Sequence, residues 1–135
     1  TTDCLQKGWV LDGFPNTPAQ AEFLRKAHLW PSRVIHISIS ESVCLQRLAL
    51  RRVDPVSGDY YYGNPPHVSI RQRLVQAPSD TPEHVSERYH FHYDRHKEVL
   101  EVFKNIHTIV RGNEDPAVMQ RAIQDFVKTP LTHKA

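Results

Sequence analysis

The chain has 135 residues, of which 39% are hydrophobic and 24% charged, and a formal net charge of +2. That is a one-domain length with an ordinary globular balance, and the charge is too small to indicate a nucleic-acid or membrane surface. No apolar run approaches the roughly 18 residues of a membrane span, and Cys4 and Cys44 match no zinc or redox spacing, so reduced thiols are the plain reading.

The sequence opens at Thr1-Thr2-Asp3-Cys4 without an initiator Met or a signal peptide, and reads as an excised segment of something longer. Residues 8–12 form a short apolar run ending in Asp-Gly, expected to be a buried strand of a parallel sheet. Thr17-Pro18 offers an N-cap followed by Pro at the first helical position, and a helix is expected over residues 19–27. Residues 33–39 are β-branched and apolar and predict a second strand. Ser40-Glu41 opens a helix expected to run to about Arg52.

Asp54-Pro55-Val56-Ser57-Gly58 is a turn sequence, and residues 59–63 are aromatic and β-prone before Asn64-Pro65-Pro66. A hairpin-like excursion between two helices is the expectation. Helical signals resume near Ser69. Thr81-Pro82-Glu83 caps a long amphipathic helix carrying Val85, Tyr89, His92, Tyr93, Val99 and Phe103. Residues 106–110 predict a third strand, Gly112-Asn113 a turn, and Asp115-Pro116 a last helix through Val127. Strands alternating with helices imply an α/β layer with a parallel sheet. Three strands are few for a sheet whose faces both need cover, so neighbouring strands are expected upstream.

Several residues suit phosphate chemistry. Asp12-Gly13-Phe14-Pro15 lies just past the first expected strand, at the carboxyl end where open α/β sheets bind ligands. An acid there can hold Mg²⁺ directly or through water. Gln20 follows on a helix, with an amide able to read a base edge. Arg47, Arg51 and Arg52 precede the excursion, and Arg71, Arg73 and Arg88 follow it. A guanidinium grips phosphate oxygens bidentately and keeps its charge. Phosphoryl transfer needs alignment, charge neutralisation and exclusion of water, which an arginine-rich flap supplies.

With these motifs in place, the chain resembles the adenylate kinase family of nucleoside monophosphate kinases over nearly its whole length. Residues 8–24, GWVLDGFPNTPAQAEFL, look like the signature strand and monophosphate-binding helix. Residues 47–58, RLALRRVDPVSG, look like the start of the family's lid, and Asn64-Pro65-Pro66 like its close. Val110-Arg111-Gly112-Asn113 resembles the last strand and its turn beside the adenine. The lid form is similar to that of a long, two-kinase-domain member linked to motile cilia.

The resemblance implies a P-loop kinase-like parallel sheet with helices on both faces and a small lid at about residues 53–68. Residues 1–130 would be the carboxy-terminal part of such a domain and residues 131–135 a tail. It implies reversible transfer of a phosphoryl group from ATP to AMP or a related monophosphate. Asp12 would sit near Mg²⁺, through water. Gly13, Phe14, Asn16, Gln20, Arg73 and Arg88 would serve the AMP side. Arg47, Arg51, Tyr60, Tyr61, Gly112 and Asn113 would serve the ATP side, with Arg51 and Arg88 nearest the transferred group. It implies a cytoplasmic protein, with the axoneme as a further setting, and neither nucleic acid nor membrane as partner.

Two departures stand out. The family places Arg fifth in its Asp-Gly-Phe-Pro motif, where this chain has Asn16, which cannot make a charge-assisted bidentate contact. No G-x-x-x-x-G-K-[ST] loop occurs. Gly58 and Gly63 have the glycine spacing, but Asn64-Pro65 follows them. The active kinase would therefore need the phosphate-binding half. The competing reading is a degenerate kinase-like docking module in a larger assembly. His90, His92 and His96 have metal-like spacing but no acid or cysteine partner, and read as solvated or partly packed.

Overall fold

The computed structural model describes residues 2–65 and 67–131. Pro66 of the expected lid closure, Thr1, and residues 132–135 of the expected tail lie outside the described residues. The elements in order are α1 (Thr2–Lys7), α2 (Pro18–Lys26), β1 (Val34–Ser38), α3 (Glu41–Ala49), β2 (Arg51–Val53), β3 (Tyr60–Tyr62) and α4 (Val68–Arg73). A 3₁₀ turn (Pro78–Asp80) then leads to α5 (Pro82–Val102), β4 (His107–Arg111) and α6 (Pro116–Lys128). The chain is a mixed α/β structure with a parallel sheet and helices.

β1 and β4 pair in parallel, with Val34 opposite His107 and Ser38 opposite Arg111. Registered residues of a parallel pair share a face, so Val34 and His36 point to one side and Ile35 and Ile37 to the other. α5 covers the Val34 side. Its Val99 and Phe103 form a buried cluster with Ala21 of α2, against which Val34, Val102 and Ile106 pack. Phe103 is almost fully buried and meets Trp30 at a ring-centroid distance of 4.9 Å. Burying a side chain of that size contributes about 1.5–3 kcal/mol. α6 packs beside β4.

The caps follow the sequence. Thr17 accepts a hydrogen bond from the Gln20 amide at 3.2 Å, and Asp115 accepts one from Ala117 at 2.8 Å, each before a Pro in the first helical turn. Such a cap stabilises its helix by about 1 kcal/mol. Thr81 differs. Its hydroxyl donates back to the Pro78 carbonyl at 3.2 Å and lies 2.7 Å from His84 Nδ1, so it joins the 3₁₀ turn to α5.

Three expectations need correction. Residues 8–12 are not a strand. Among the described residues the parallel sheet is only β1 and β4, and residues 8–11 have no ladder partner, so Val10 is 91% exposed. A strand's backbone groups need a neighbour about 4.8 Å away, and a cavity of about 690 Å³, lined by Trp9, Leu11, Ile35 and His36, lies there instead. The sheet therefore has two strands and not three. α3 ends at Ala49 and not near Arg52. Arg51, Arg52 and Val53 instead pair antiparallel with Tyr62, Tyr61 and Tyr60, where aromatic and β-branched side chains fit a pleated surface. The hairpin excursion itself forms as expected.

Candidate functional site

The parallel strands end together, and their connection brings distant residues close. The Gly112 amide donates to the Ser38 carbonyl at 2.6 Å. The Ser40 amide donates to Asn113 Oδ1 at 3.5 Å. Gly112 and Asn113 thus sit at the carboxyl end of β1, beside the start of α3. Ile39 continues from there into an apolar cavity of about 620 Å³ lined also by Cys44, Arg47, Leu48, Leu50, Tyr62 and Gly63. Burial raises the Cys44 thiol above its ordinary pKa. Arg47 lines this cavity, and the Gly112-Asn113 turn lies outside its lining, in contact with Ile39 at its edge.

Arg51 lies at the root of the lid hairpin. Its Nε and Nη2 donate to Asp80 Oδ2 and Oδ1 at 2.7 and 2.6 Å. Its Cζ lies 4.5 Å from the Tyr60 ring centroid, within cation–π range. Arg88, half exposed on α5, brings Nη2 within 3.9 Å of the same Asp80 oxygen. Asp80 is 1% exposed. The Arg51 hydrogen bonds hold its carboxyl below the usual range against the opposing effect of burial, and raise the Arg51 guanidinium in turn. Two cations therefore converge on one buried acid, leaving net positive charge at the hairpin root.

Arg73, the last residue of α4, makes a second fork. Its Nε and Nη2 donate to Asp54 Oδ1 and Oδ2 at 2.7 and 2.6 Å. Asp54 is fully buried and also accepts from the Val56 amide at 3.0 Å and the Ser57 hydroxyl at 3.2 Å. Its carboxyl is held well below the usual range, first by Arg73. Tyr61, half-buried on β3, faces Arg52 across the ladder.

Asp12, Gly13, Phe14 and Asn16 line the larger cavity with Trp30, His36 and His96. Asn16 Nδ2 donates to the Gly13 carbonyl at 2.5 Å, and its amide donates to Gln20 Oε1 at 2.7 Å. Asn16 thus closes its own loop, and Gln20 keeps its Nε2 donors outside that bond. Asp12 is exposed. Mg²⁺ keeps several waters and takes one or two carboxylates plus substrate phosphates, so a single accessible carboxylate fits that ion through water. No group of three or more metal-binding side chains with metal-holding geometry occurs among the described residues. His36 instead stacks on His96 and His92 at centroid distances of 4.8 and 5.9 Å. Those two histidines are partly packed, as the sequence suggested, while His90 lies 3.2 Å from Glu41.

The sequence reading missed Asp54 and Asp80 as the acids that hold the arginines. Asp54 was read as part of a turn and of the lid-like motif, and Asp80 only through its spacing from Arg73, which differs from the family's common short-lid form. The available clue was that six arginines flank a segment with few acids to balance them.

No family model matches the chain. Adenylate kinase 8 of Mus musculus is 37% identical over 98% of this chain, and that of Homo sapiens is 34% identical over 98%. The chloroplastic adenylate kinase of Zea mays is 32% identical over 98%. The chain is similar to adenylate kinases along nearly its whole length. It spans 28% of the length of the mouse and human adenylate kinases and 61% of the maize one. No described helix is long and apolar enough to cross a membrane.

Proposed function

We propose that this chain is the lid- and monophosphate-bearing part of an adenylate kinase that transfers the ATP γ-phosphoryl group to AMP or a related monophosphate, with Mg²⁺. A monophosphate oxygen forms the new P–O bond, the bond from the γ-phosphorus to the β,γ-bridging oxygen breaks, and two diphosphates leave. The observation that carries this reading is the convergence of Arg51 and Arg88 on buried Asp80 beneath the hairpin. A positive, partly desolvated pair of forks suits charge spread over phosphoryl oxygens. Gly13, Phe14, Asn16, Gln20 and Arg88 serve the monophosphate. Arg47, Tyr60, Tyr61, Gly112 and Asn113 serve ATP, and Asp12 would hold Mg²⁺ through water, which would supply charge neutralisation at the phosphates. The test is ADP formation from ATP and AMP by the full-length protein. Turnover that is lost in Arg51→Ala and Arg88→Ala supports it, and no turnover in the wild type overturns it.

Asn16 favours a second reading, a kinase-like docking module. It supplies no cation to a monophosphate, and its side chain is held by its own loop. On that reading the chain docks in a larger cytoplasmic assembly, the ciliary axoneme being the setting that the lid resemblance suggests. Full-length protein that binds neither nucleotide would favour it.

A further inference from the structure

Three contacts run in antiparallel order between β2 and the stretch after the hairpin. Arg51 pairs with Asp80. Val53 and Val75 exchange both backbone hydrogen bonds, at 2.8 and 3.0 Å. Asp54 pairs with Arg73. The lid hairpin is laced to residues 73–80 along one seam. Asp54 is the inner end of that seam and also the first residue of the hairpin turn, where its amide donates to Asp59 and its carbonyl accepts from Gly58. One buried carboxylate therefore both shapes the turn and holds the end of α4.

We propose that Arg73 is a positioning residue for the ATP side of the lid, acting through Asp54, and not a ligand of the monophosphate. The proposal rests on the nucleotide-kinase reading above. Arg73 spends Nε and Nη2 on Asp54, and turning that fork to a phosphate would take from a buried acid its charged partner, leaving it only the Val56 amide and the Ser57 hydroxyl, which is strongly unfavourable. Arg88 differs, because it is half exposed and approaches Asp80 only at 3.9 Å, while Arg51 holds that acid with its own fork. The fork at Arg73 fixes the strand from which Arg51 projects and, across the ladder, the tyrosines of β3. Loss of the fork lets the hairpin drift from the position that receives ATP.

The experiment titrates ATP and AMP separately into the full-length protein carrying Arg73→Ala, Arg73→Lys, Asp54→Asn, or Asp54→Asn with Arg73→Ala. Arg73→Ala and Asp54→Asn are each expected to weaken ATP about tenfold and to leave AMP within about twofold. The double variant should be no weaker than either single, because the two residues act as one contact. Arg73→Lys, which keeps the charge but loses the fork, should fall between wild type and Arg73→Ala. It carries the comparison if the alanine variant does not fold. Weakened AMP with ATP unchanged, additive losses, or no change at either nucleotide overturns the proposal. Wild-type turnover is read independently, so a protein that binds both nucleotides without making ADP refutes the kinase reading and leaves this comparison intact.

Discussion

The Gly112 amide donates to the Ser38 carbonyl at 2.6 Å, fastening the end of β4 to the end of β1. The approach is close enough that a Cβ at Gly112 would lie 2.9 Å from Ile37 Cγ2 and 3.2 Å from both Ile39 Cβ and the Ser38 oxygen. Gly112→Ala is expected to destabilise the chain by about 1–3 kcal/mol, as overpacking does. A urea midpoint equal to that of the wild type would show that the strand ends can part freely.

Hydrogen exchange should divide the lid in two. The Val53 and Val75 amides are bonded along the seam and that of Asp54 to Asp59 within the hairpin, and all three should exchange slowly. Ser57, in the exposed turn, and Asn64, exposed in the stretch after β3, should exchange fast. The buried Asp54 carboxylate sets the expected boundary between the two parts. Equal protection at Val53 and Asn64 would contradict the division.

The histidine stack should make stability fall in mild acid. Burial, and then His96, His92 and His107, lower the His36 pKa from 6.5, and burial and His96 lower that of His92. A depressed folded value means that the unfolded chain takes up protons first. This contribution is therefore complete above pH 6.5 and is lost as pH falls through the folded values. Thermal melts from pH 7.5 to 5 should show a falling midpoint, with a shallower slope in His36→Phe. An unchanged slope would remove the stack as the cause.

Asn16→Arg in the full-length protein should tighten AMP by roughly ten- to a hundredfold, since a hydrogen bond to a charged group contributes about 1.5–3 kcal/mol. The substitution also frees the Gly13 carbonyl that Asn16 now occupies. Adenosine should gain nothing, and added salt should shrink the gain. Calorimetry showing no change for AMP would support the docking-module reading.

The 135-residue chain by itself should form no ADP. Its sequence holds no phosphate-cradling glycine–lysine loop, and that cradle is where phosphoryl charge is neutralised. Turnover by the purified chain at rates typical of kinases would refute this.

Local signals carried much of the fold. Pro18, Pro82 and Pro116 sit in the first helical turns, and Thr17 and Asp115 cap as their side chains allow. Residues 8–12 failed because a strand is a relation between segments, and an apolar run states nothing about who pairs with it. Arg51 and Arg52 failed for the opposite reason. Their helical neighbours extended a periodic pattern that the ladder to Tyr61 and Tyr62 then overrode. The site residues were assigned through the resemblance, and the pairing of Asp54 and Asp80 with arginines was not read, because ion pairs 19 and 29 residues apart leave no periodic trace.

β1 has one ladder partner, and beside its other edge lie Trp9, Val10 and Leu11, uncovered. Such an edge accepts any extended peptide that comes near, and the readiest supply in a concentrated sample is another copy of the same chain. Expressed alone, this polypeptide is a self-templating hazard. Its self-association is expected to rise with concentration, and a charged residue placed at the exposed Val10 is expected to suppress it.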